Sequence, residues 1–238
     1  MNLEKYQQYS RIARGLEKAD LVLKDARIVN VFTEEIIRGD IAIQDGIIAG
    51  IGSFHGKEER DLAGRYVCPG FIDSHLHLES TLVTPAELVT VASRHGTTTF
   101  IVDPHESANV SGLAGIDYIL DQTEDVKANV YVMMPSCVPA TAIDDNGCTL
   151  TAEDMAPYLH NSRILGLGEV MDSISVVQGE KSMHDKLELF EAESVMATLR
   201  FWKRGIFRHM QWQGLLRTMS AASLIMQCEN GGTALPFS

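Results

Sequence analysis

The sequence contains no apolar run of about 18 residues, so no membrane-spanning helix is predicted. The N-terminus also lacks the apolar segment of a secretory signal. Four cysteines, at positions 68, 137, 148 and 228, show no C-x-x-C spacing, which predicts free thiols and a cytoplasmic location. Basic residues are few, with 20 Lys and Arg against 32 Asp and Glu. The net charge of −12 argues against a nucleic-acid partner and against binding to an anionic membrane.

The acidic excess is unevenly distributed along the chain. Residues 1–190 contain 15 basic and 29 acidic side chains, a net charge of −14. Residues 191–238 contain 5 basic and 3 acidic side chains, a net charge of +2, and both tryptophans. Such a change in composition indicates a separate segment after about residue 190.

The order of predicted elements indicates an α/β fold. Residues 1–67 predict an N-terminal helix followed by a small antiparallel β-unit, with a turn signal at Asp45-Gly46. From residue 68 to 190, continuous apolar strands alternate with helices, which predicts a parallel sheet, either doubly wound or closed as a barrel.

The motif with the clearest chemistry is the run Pro69-Gly70-Phe71-Ile72-Asp73-Ser74-His75-Leu76-His77 at the end of an apolar strand. Residues i and i+2 of a strand point to the same face, so His75 and His77 present two imidazoles at a spacing suited to one divalent ion. Two further strands end in ionisable residues, in Asp103-Pro104-His105-Glu106 and in Gly166-Leu167-Gly168-Glu169. Three strand ends of this kind predict a metal centre at one edge of the sheet.

Other catalytic motifs are absent from the sequence. It has no C-x-x-C for a zinc nucleobase deaminase of the H-x-E type, no G-x-G-x-x-G, no Walker A loop and no G-x-S-x-G. Cys137 follows a predicted strand, which leaves two interpretations open, a nucleophile or a residue of the pocket wall.

Five segments together resemble the bacterial adenine deaminases of the amidohydrolase superfamily. They are Pro69 to Glu79, His95 to Thr99, Asp103 to Glu106, Pro135 to Ala140 and Gly166 to Met171. The resemblance implies a metal-dependent TIM-like (β/α)8 barrel, of which residues 68–190 are the first half with strands 1–4. It also implies hydrolysis of adenine to hypoxanthine and ammonia, and a homo-oligomer for the full-length family.

By this resemblance, His75 and His77 hold one divalent ion. Glu169 stands where many superfamily members use a carboxylated lysine to bridge two ions, so it is predicted as a metal ligand and a catalytic residue. A binuclear manganese centre is expected, with Fe2+ and Zn2+ as alternatives because His and carboxylate ligands suit all three.

The resemblance suggests roles for five further residues. His105 and Glu106 are predicted to relay protons, and packing of the loop is the alternative for both. Ser136, Cys137 and Glu79 are predicted to contact the substrate.

Several parts of a superfamily barrel are missing from the sequence, namely a His on strand 5, a His on strand 6 and an Asp on strand 8. A reading frame shifted by one base permits D-G-H-A-P-V-L-E from residues 195–203 and H-E-C from residues 218–221. Both strings match motifs that the family would have there, so residues 191–238 are interpreted as an out-of-frame tail. A divergent helical tail is the alternative.

A half-barrel leaves strand edges unpaired, so an unstable and inactive form of the enzyme is expected. Two other functions stay open. One is a different cyclic amidohydrolase, of the dihydroorotase or allantoinase type, and the other is a non-catalytic fragment.

Overall fold

The computed structural model describes residues 2–141, 143–191 and 193–195. The chain divides into two compact units, the first ending at Pro69 and the second beginning at Gly70. Of the predicted tail, only residue 191 and residues 193–195 are described, and the rest lies outside the described residues. No described helix has the length and apolar character that a membrane crossing requires.

The first unit is one helix against a five-stranded sheet. Its elements are α1 (Leu3–Ala13), β1 (Ala19–Asn30), β2 (Glu35–Gln44), β3 (Ile47–Gly52), β4 (Gly56–Asp61) and β5 (Tyr66–Val67). Strands β1, β2 and β3 pair antiparallel as expected, but β4 and β5 pair with β1 in parallel. The expected antiparallel unit is therefore a mixed sheet, because the chain crosses from β3 to the far side of β1 before it pairs again.

The turn signal at Asp45-Gly46 is confirmed. Gln44 pairs with Ile47, so the loop between β2 and β3 has two residues. Both loop residues have positive φ, 51° for Asp45 and 77° for Gly46, as a type I′ hairpin turn requires.

The second unit alternates strands and helices. Its elements are β6 (Phe71–Leu76), α2 (Pro85–Ser93), β7 (Thr97–Val102), α3 (His105–Ser111), α4 (Leu113–Gln122), β8 (Asn129–Pro135), α5 (Ala152–Met155), β9 (Ile164–Gly168), α6 (Ser173–Gln178), α7 (Lys181–Leu189) and β10 (Ser194–Val195), with 3₁₀ turns at Glu79–Thr81 and Ala156–His160. The five strands form one parallel sheet in the order β6-β7-β8-β9-β10. The predicted α/β class and its four parallel strands are confirmed.

One continuous core holds the sheet of the second unit against its helices. Phe100 and Val102 of β7, Val132 of β8 and Leu167 of β9 are almost fully buried, and Ile116 of α4 packs in the same cluster. Because all five strands run in one direction, their carboxyl ends meet at one edge of the sheet. The residues that follow these ends form the candidate site.

The contact between α3 and α4 is unusually close at Gly115. A Cβ atom built on this buried glycine would lie 2.5 Å from the carbonyl oxygen of Ser107 and 2.7 Å from its carbonyl carbon. Both atoms belong to the backbone of α3, the helix that begins at His105, so they cannot move without moving that helix. Gly115 therefore permits the approach that places α3 beside the sheet.

We expect Gly115→Ala to destabilise the second unit. Alanine favours a helix over glycine by about 0.5–1 kcal/mol, but the clash with backbone costs about 1–3 kcal/mol and outweighs that gain. Gly52→Ala is the matched control, because its Cβ would meet only the Phe54 ring at 3.4 Å. Chemical denaturation checks this, and an unchanged or raised midpoint for Gly115→Ala would contradict it.

Candidate metal centre

Four consecutive strands deliver side chains to one place at the carboxyl edge of the sheet. His75 lies in β6 and His77 directly follows it. His105 comes three residues after β7, Cys137 two residues after β8, and Glu169 directly after β9. The structure thus brings together five of the eight site residues predicted from the sequence, including all three predicted metal ligands.

Glu169 is the centre of this cluster. Its carboxylate oxygens lie 3.1 Å from His75 Nε2, 4.0 Å from His77 Nε2 and 3.3 Å from His105 Nδ1. The residue is only 7% exposed, so its charge interacts with these rings in a largely water-free environment. One ligand atom each from His75, His77 and Glu169 lie within 4.8 Å of one another, and the same holds for His105, Cys137 and Glu169.

The orientation of His77 is set by the main chain. Its Nδ1 lies 2.7 Å from the carbonyl oxygen of Asp103, to which it donates in the neutral ring. That tautomer leaves Nε2 as an acceptor facing Glu169, which is the arrangement that a metal-ligating histidine needs. The rings of His75 and His105 pack edge-on against it, at centroid distances of 4.9 and 4.6 Å.

Asp103 belongs to one of the ionisable strand ends noted in the sequence, but the sequence pattern does not indicate an individual role for it. The structure buries it completely, with one carboxylate oxygen 3.7 Å from His105 Nδ1. A Cβ on Gly168 would clash with this carboxylate, so glycine at that position provides the space for it. Neither carboxylate oxygen of Asp103 has a hydrogen-bond partner among the described residues.

The carboxylates change the titration of the neighbouring imidazoles. Glu169 raises the pKa of His75 above its ordinary value, and the opposing effect of burial is smaller. Asp103, and after it Cys137, raises the pKa of His105. Burial raises the pKa of the Cys137 thiol, which therefore stays protonated near neutral pH. The low thiolate fraction favours the pocket-wall interpretation of Cys137 over the nucleophile.

Ser136 is fully buried and holds the peptide of Glu169. Its hydroxyl donates to the carbonyl oxygen of Glu169 over 2.8 Å. The carbonyl oxygen of Ser136 in turn accepts a hydrogen bond of 2.9 Å from Lys186 Nζ, and Lys186 is only 6% exposed. Lys186 was missed from the sequence, because its helical position does not indicate what lies against it.

Glu79 and Glu106 lie at the edge of the cluster. Glu79 Oε1 accepts from the backbone N–H groups of Glu106 and Ser107, which anchors the first turn of α3. Its other oxygen, Oε2, is buried without a hydrogen-bond partner among the described residues. Glu106 accepts a hydrogen bond of 2.6 Å from the hydroxyl of Ser80.

The donor set fits a divalent cation. His75 Nε2 approaches Glu169 without forming an aligned hydrogen bond, and the buried His105 Nδ1 also has no hydrogen-bond partner among the described residues. Two buried carboxylates, Asp103 and Glu169, lie at this place, and burial raises the pKa of Asp103. A bound dication would favour the ionised form of both carboxylates. Imidazole and carboxylate ligands suit manganese, iron and zinc.

We expect divalent-metal affinity to rise with pH. Only the neutral imidazole binds a metal, and the raised pKa of His75 in the metal-free chain keeps a proton competing for Nε2 above its ordinary range. As the pH climbs through that raised pKa, the proton leaves and affinity increases. Calorimetric titration with Mn2+ at about pH 6 and about pH 8.5 measures this, with His75→Asn as the variant that loses the effect. Equal affinity at both pH values would contradict it.

The chain resembles several known proteins in sequence and in fold. The model of the amidohydrolase family matches residues 66–206. The chain is 57% identical over 190 residues to adenine deaminase from Desulfitobacterium hafniense (strain Y51), covering 80% of this chain and 33% of that protein. It is 51% identical over 172 residues to adenine deaminase from Geobacillus kaustophilus (strain HTA426), covering 72% and 30%. The chain thus spans about a third of the length of the curated relatives it matches.

Among solved structures, a variant of atrazine chlorohydrolase TrzN from Arthrobacter aurescens TC1, in complex with zinc and atraton, matches with a TM-score of 0.54. The identity is 14%, and the match covers 83% of this chain and 58% of that one, so it shows a common fold. Because the family model matches more than half of the 238 residues, this chain belongs to the amidohydrolase family.

Proposed function

We propose that this chain carries the first half of the active site of a divalent-metal-dependent adenine deaminase. The convergence of His75, His77 and Glu169 at one sheet edge carries the proposal, because it supplies the ligands that such an enzyme needs. The identity of 57% to an adenine deaminase supports adenine as the substrate. Water adds at C6 of adenine and the amino group leaves, which yields hypoxanthine and ammonia, a step of purine salvage.

His75, His77 and Glu169 would hold the metal. A divalent cation supplies the Lewis acidity that hydrolysis of a weak electrophile such as C6 requires. We propose that the centre would take manganese and two ions, and that Glu169 would contribute to holding both. The position of Glu169 supports this, because its carboxylate faces imidazoles from two strand ends.

His105 is proposed to hold the proton for the leaving amino group. Asp103 raises the pKa of His105, so the imidazole is protonated near neutral pH and is able to act as a general acid. The exposure of its side chain is 19%, which leaves it accessible from the open side of the cluster. Glu106 is proposed to pass protons between His105 and solvent, since it is the next residue and is exposed.

The substrate contacts predicted for Ser136, Cys137 and Glu79 stay predictions. Glu79 has the best support of the three, because its buried Oε2 is available to accept from a ring N–H. Cys137 is 4% exposed and would form part of the pocket wall. Ser136 has its hydroxyl committed to Glu169, so any contact with substrate would pass through the adjoining peptide.

The chain with residues 191–238 as given is proposed to be an incomplete and inactive form. We propose that this segment is read out of frame and that the in-frame gene encodes the missing histidines of strands 5 and 6. The net charge of +2 in this segment, against −14 in residues 1–190, supports a change of reading frame. For the complete enzyme we propose a cytoplasmic homo-oligomer with a small-molecule substrate and without nucleic-acid or membrane partners.

Sequencing the codons for residues 190–195, and expressing the shifted frame, tests this proposal. We expect the restored protein to release ammonia from adenine, whereas the chain as given, loaded with Mn2+, releases none. Glu169→Gln in the restored protein should lower kcat/KM by about 10³-fold or more, because it removes the anionic ligand.

Three results would contradict the proposal. A shifted frame without the G-H-A-P and H-E-C strings would exclude the frameshift. Hydrolysis of dihydroorotate or allantoin in preference to adenine would indicate a different cyclic amidohydrolase. Adenine turnover by the chain as given would show that residues 191–238 do not impair it.

A further inference from the structure

Lys186 is a buried lysine that the proposed reaction does not use. It lies on α7 with 6% exposure, whereas Lys181 on the same helix has an 87% exposed side chain and pairs with Asp185. Burying an ammonium group is unfavourable unless its donors are used, and a Met side chain would fill similar space without that penalty. Among the described residues, the side chain of Lys186 makes one hydrogen bond, from Nζ to the carbonyl oxygen of Ser136.

That carbonyl belongs to the peptide unit between Ser136 and Cys137. Fixing it restrains the backbone directly after β8, where the strand ends. Ser136 also makes hydrogen bonds to Gly168, which provides space for the carboxylate of Asp103, and to Glu169, a proposed metal ligand. Its N–H donates to the carbonyl oxygen of Gly168 over 3.4 Å, and its hydroxyl donates to that of Glu169 over 2.8 Å.

We infer that Lys186 is a positioning residue for the metal ligand Glu169. It holds the Ser136–Cys137 peptide, and the Ser136 hydroxyl transmits this constraint to the peptide of Glu169, whose carboxylate lies between His75 and His105. The inference rests on the proposed metal centre. Groups that hold a ligand in place in this way typically contribute about 10–100-fold to metal affinity.

The electrostatic surroundings of Lys186 are consistent with this role. Burial lowers the pKa of Lys186, and the carboxylate of Asp154 opposes this effect. Asp154 is engaged with Thr151 in the capping box of α5 and makes no hydrogen bond to Lys186 among the described residues. The Ser136 carbonyl is therefore the direct partner of the ammonium group.

The test measures the affinity of the 238-residue chain for Co2+ and the visible absorption bands of the bound ion, which report the geometry of the ligands. We expect Lys186→Met to bind Co2+ about 10–100-fold more weakly with shifted bands. Lys186→Arg should restore most of the Co2+ affinity and most of the band positions, because a guanidinium also donates to a carbonyl. A cavity of about 400 Å³ beside Ser136, Met183 and Lys186 gives the larger head group room. Lys181→Met is the matched control and should leave both unchanged.

A double-mutant cycle tests the connection through Ser136. Ser136→Ala removes the hydroxyl and keeps the carbonyl. It therefore breaks the hydrogen bond to Glu169 and keeps the one from Lys186. If Lys186 acts through Ser136, the losses in affinity of Lys186→Met and Ser136→Ala are not additive in the double variant. Additive losses would overturn the inference, as would wild-type affinity and bands in Lys186→Met.

Folding and metal binding are separated by circular dichroism of each variant. If Lys186→Met does not fold, Lys186→Arg and Ser136→Ala carry the test. Weakened binding with shifted bands in Ser136→Ala, and near-normal binding in Lys186→Arg, then support the inference, and unchanged bands in Ser136→Ala overturn it. A wild-type chain that binds no Co2+ would overturn the metal centre and this inference together. Failure of the restored protein to deaminate adenine would overturn only the assignment of adenine as the substrate.

Discussion

A buried carboxylate surrounded by imidazoles is the interaction on which the second unit's chemistry depends. Glu169 has 7% exposure and lies within 4.0 Å of ring nitrogens from His75, His77 and His105. A charge buried this deeply needs compensation, which here comes from histidines on two other strand ends. The parallel sheet meets this requirement because all its strands end at one edge. The same edge buries a second carboxylate, Asp103, with one oxygen 3.7 Å from His105 Nδ1.

Hydrogen bonds between side chains and the main chain hold this arrangement. The carbonyl of Asp103 orients His77, the hydroxyl of Ser136 holds the carbonyl of Glu169, and the carboxylate of Glu79 anchors the start of the helix that carries His105. Each contact restrains a residue next to a strand end, where the hydrogen-bond ladder stops. These hydrogen bonds therefore fix the proposed ligands at the places where the strands end.

Sequence patterns predicted the residues that cluster at the sheet edge better than the residues that support them. His75 and His77 follow from strand alternation, and Glu169 from its place after an apolar strand, since both signals are local. The Asp45-Gly46 turn was predictable for the same reason. Lys186 and the individual role of Asp103 could not be predicted, because each depends on groups that other elements bring against it, the carbonyl of Ser136 for Lys186 and the ring of His77 for the carbonyl of Asp103. The parallel pairing of β4 with β1 was missed as well, because the direction of a strand that crosses the sheet is set by tertiary packing.

X-ray absorption at the zinc edge of the Zn2+-loaded chain tests the metal centre most directly. Ligation by His75, His77 and Glu169 predicts nitrogen and oxygen scatterers at about 2.0–2.2 Å with the multiple-scattering features of two imidazoles. In Glu169→Gln the zinc should be lost or bound at reduced occupancy. A first shell dominated by sulfur at about 2.3 Å, or an unchanged spectrum in Glu169→Gln, would contradict a centre built on Glu169.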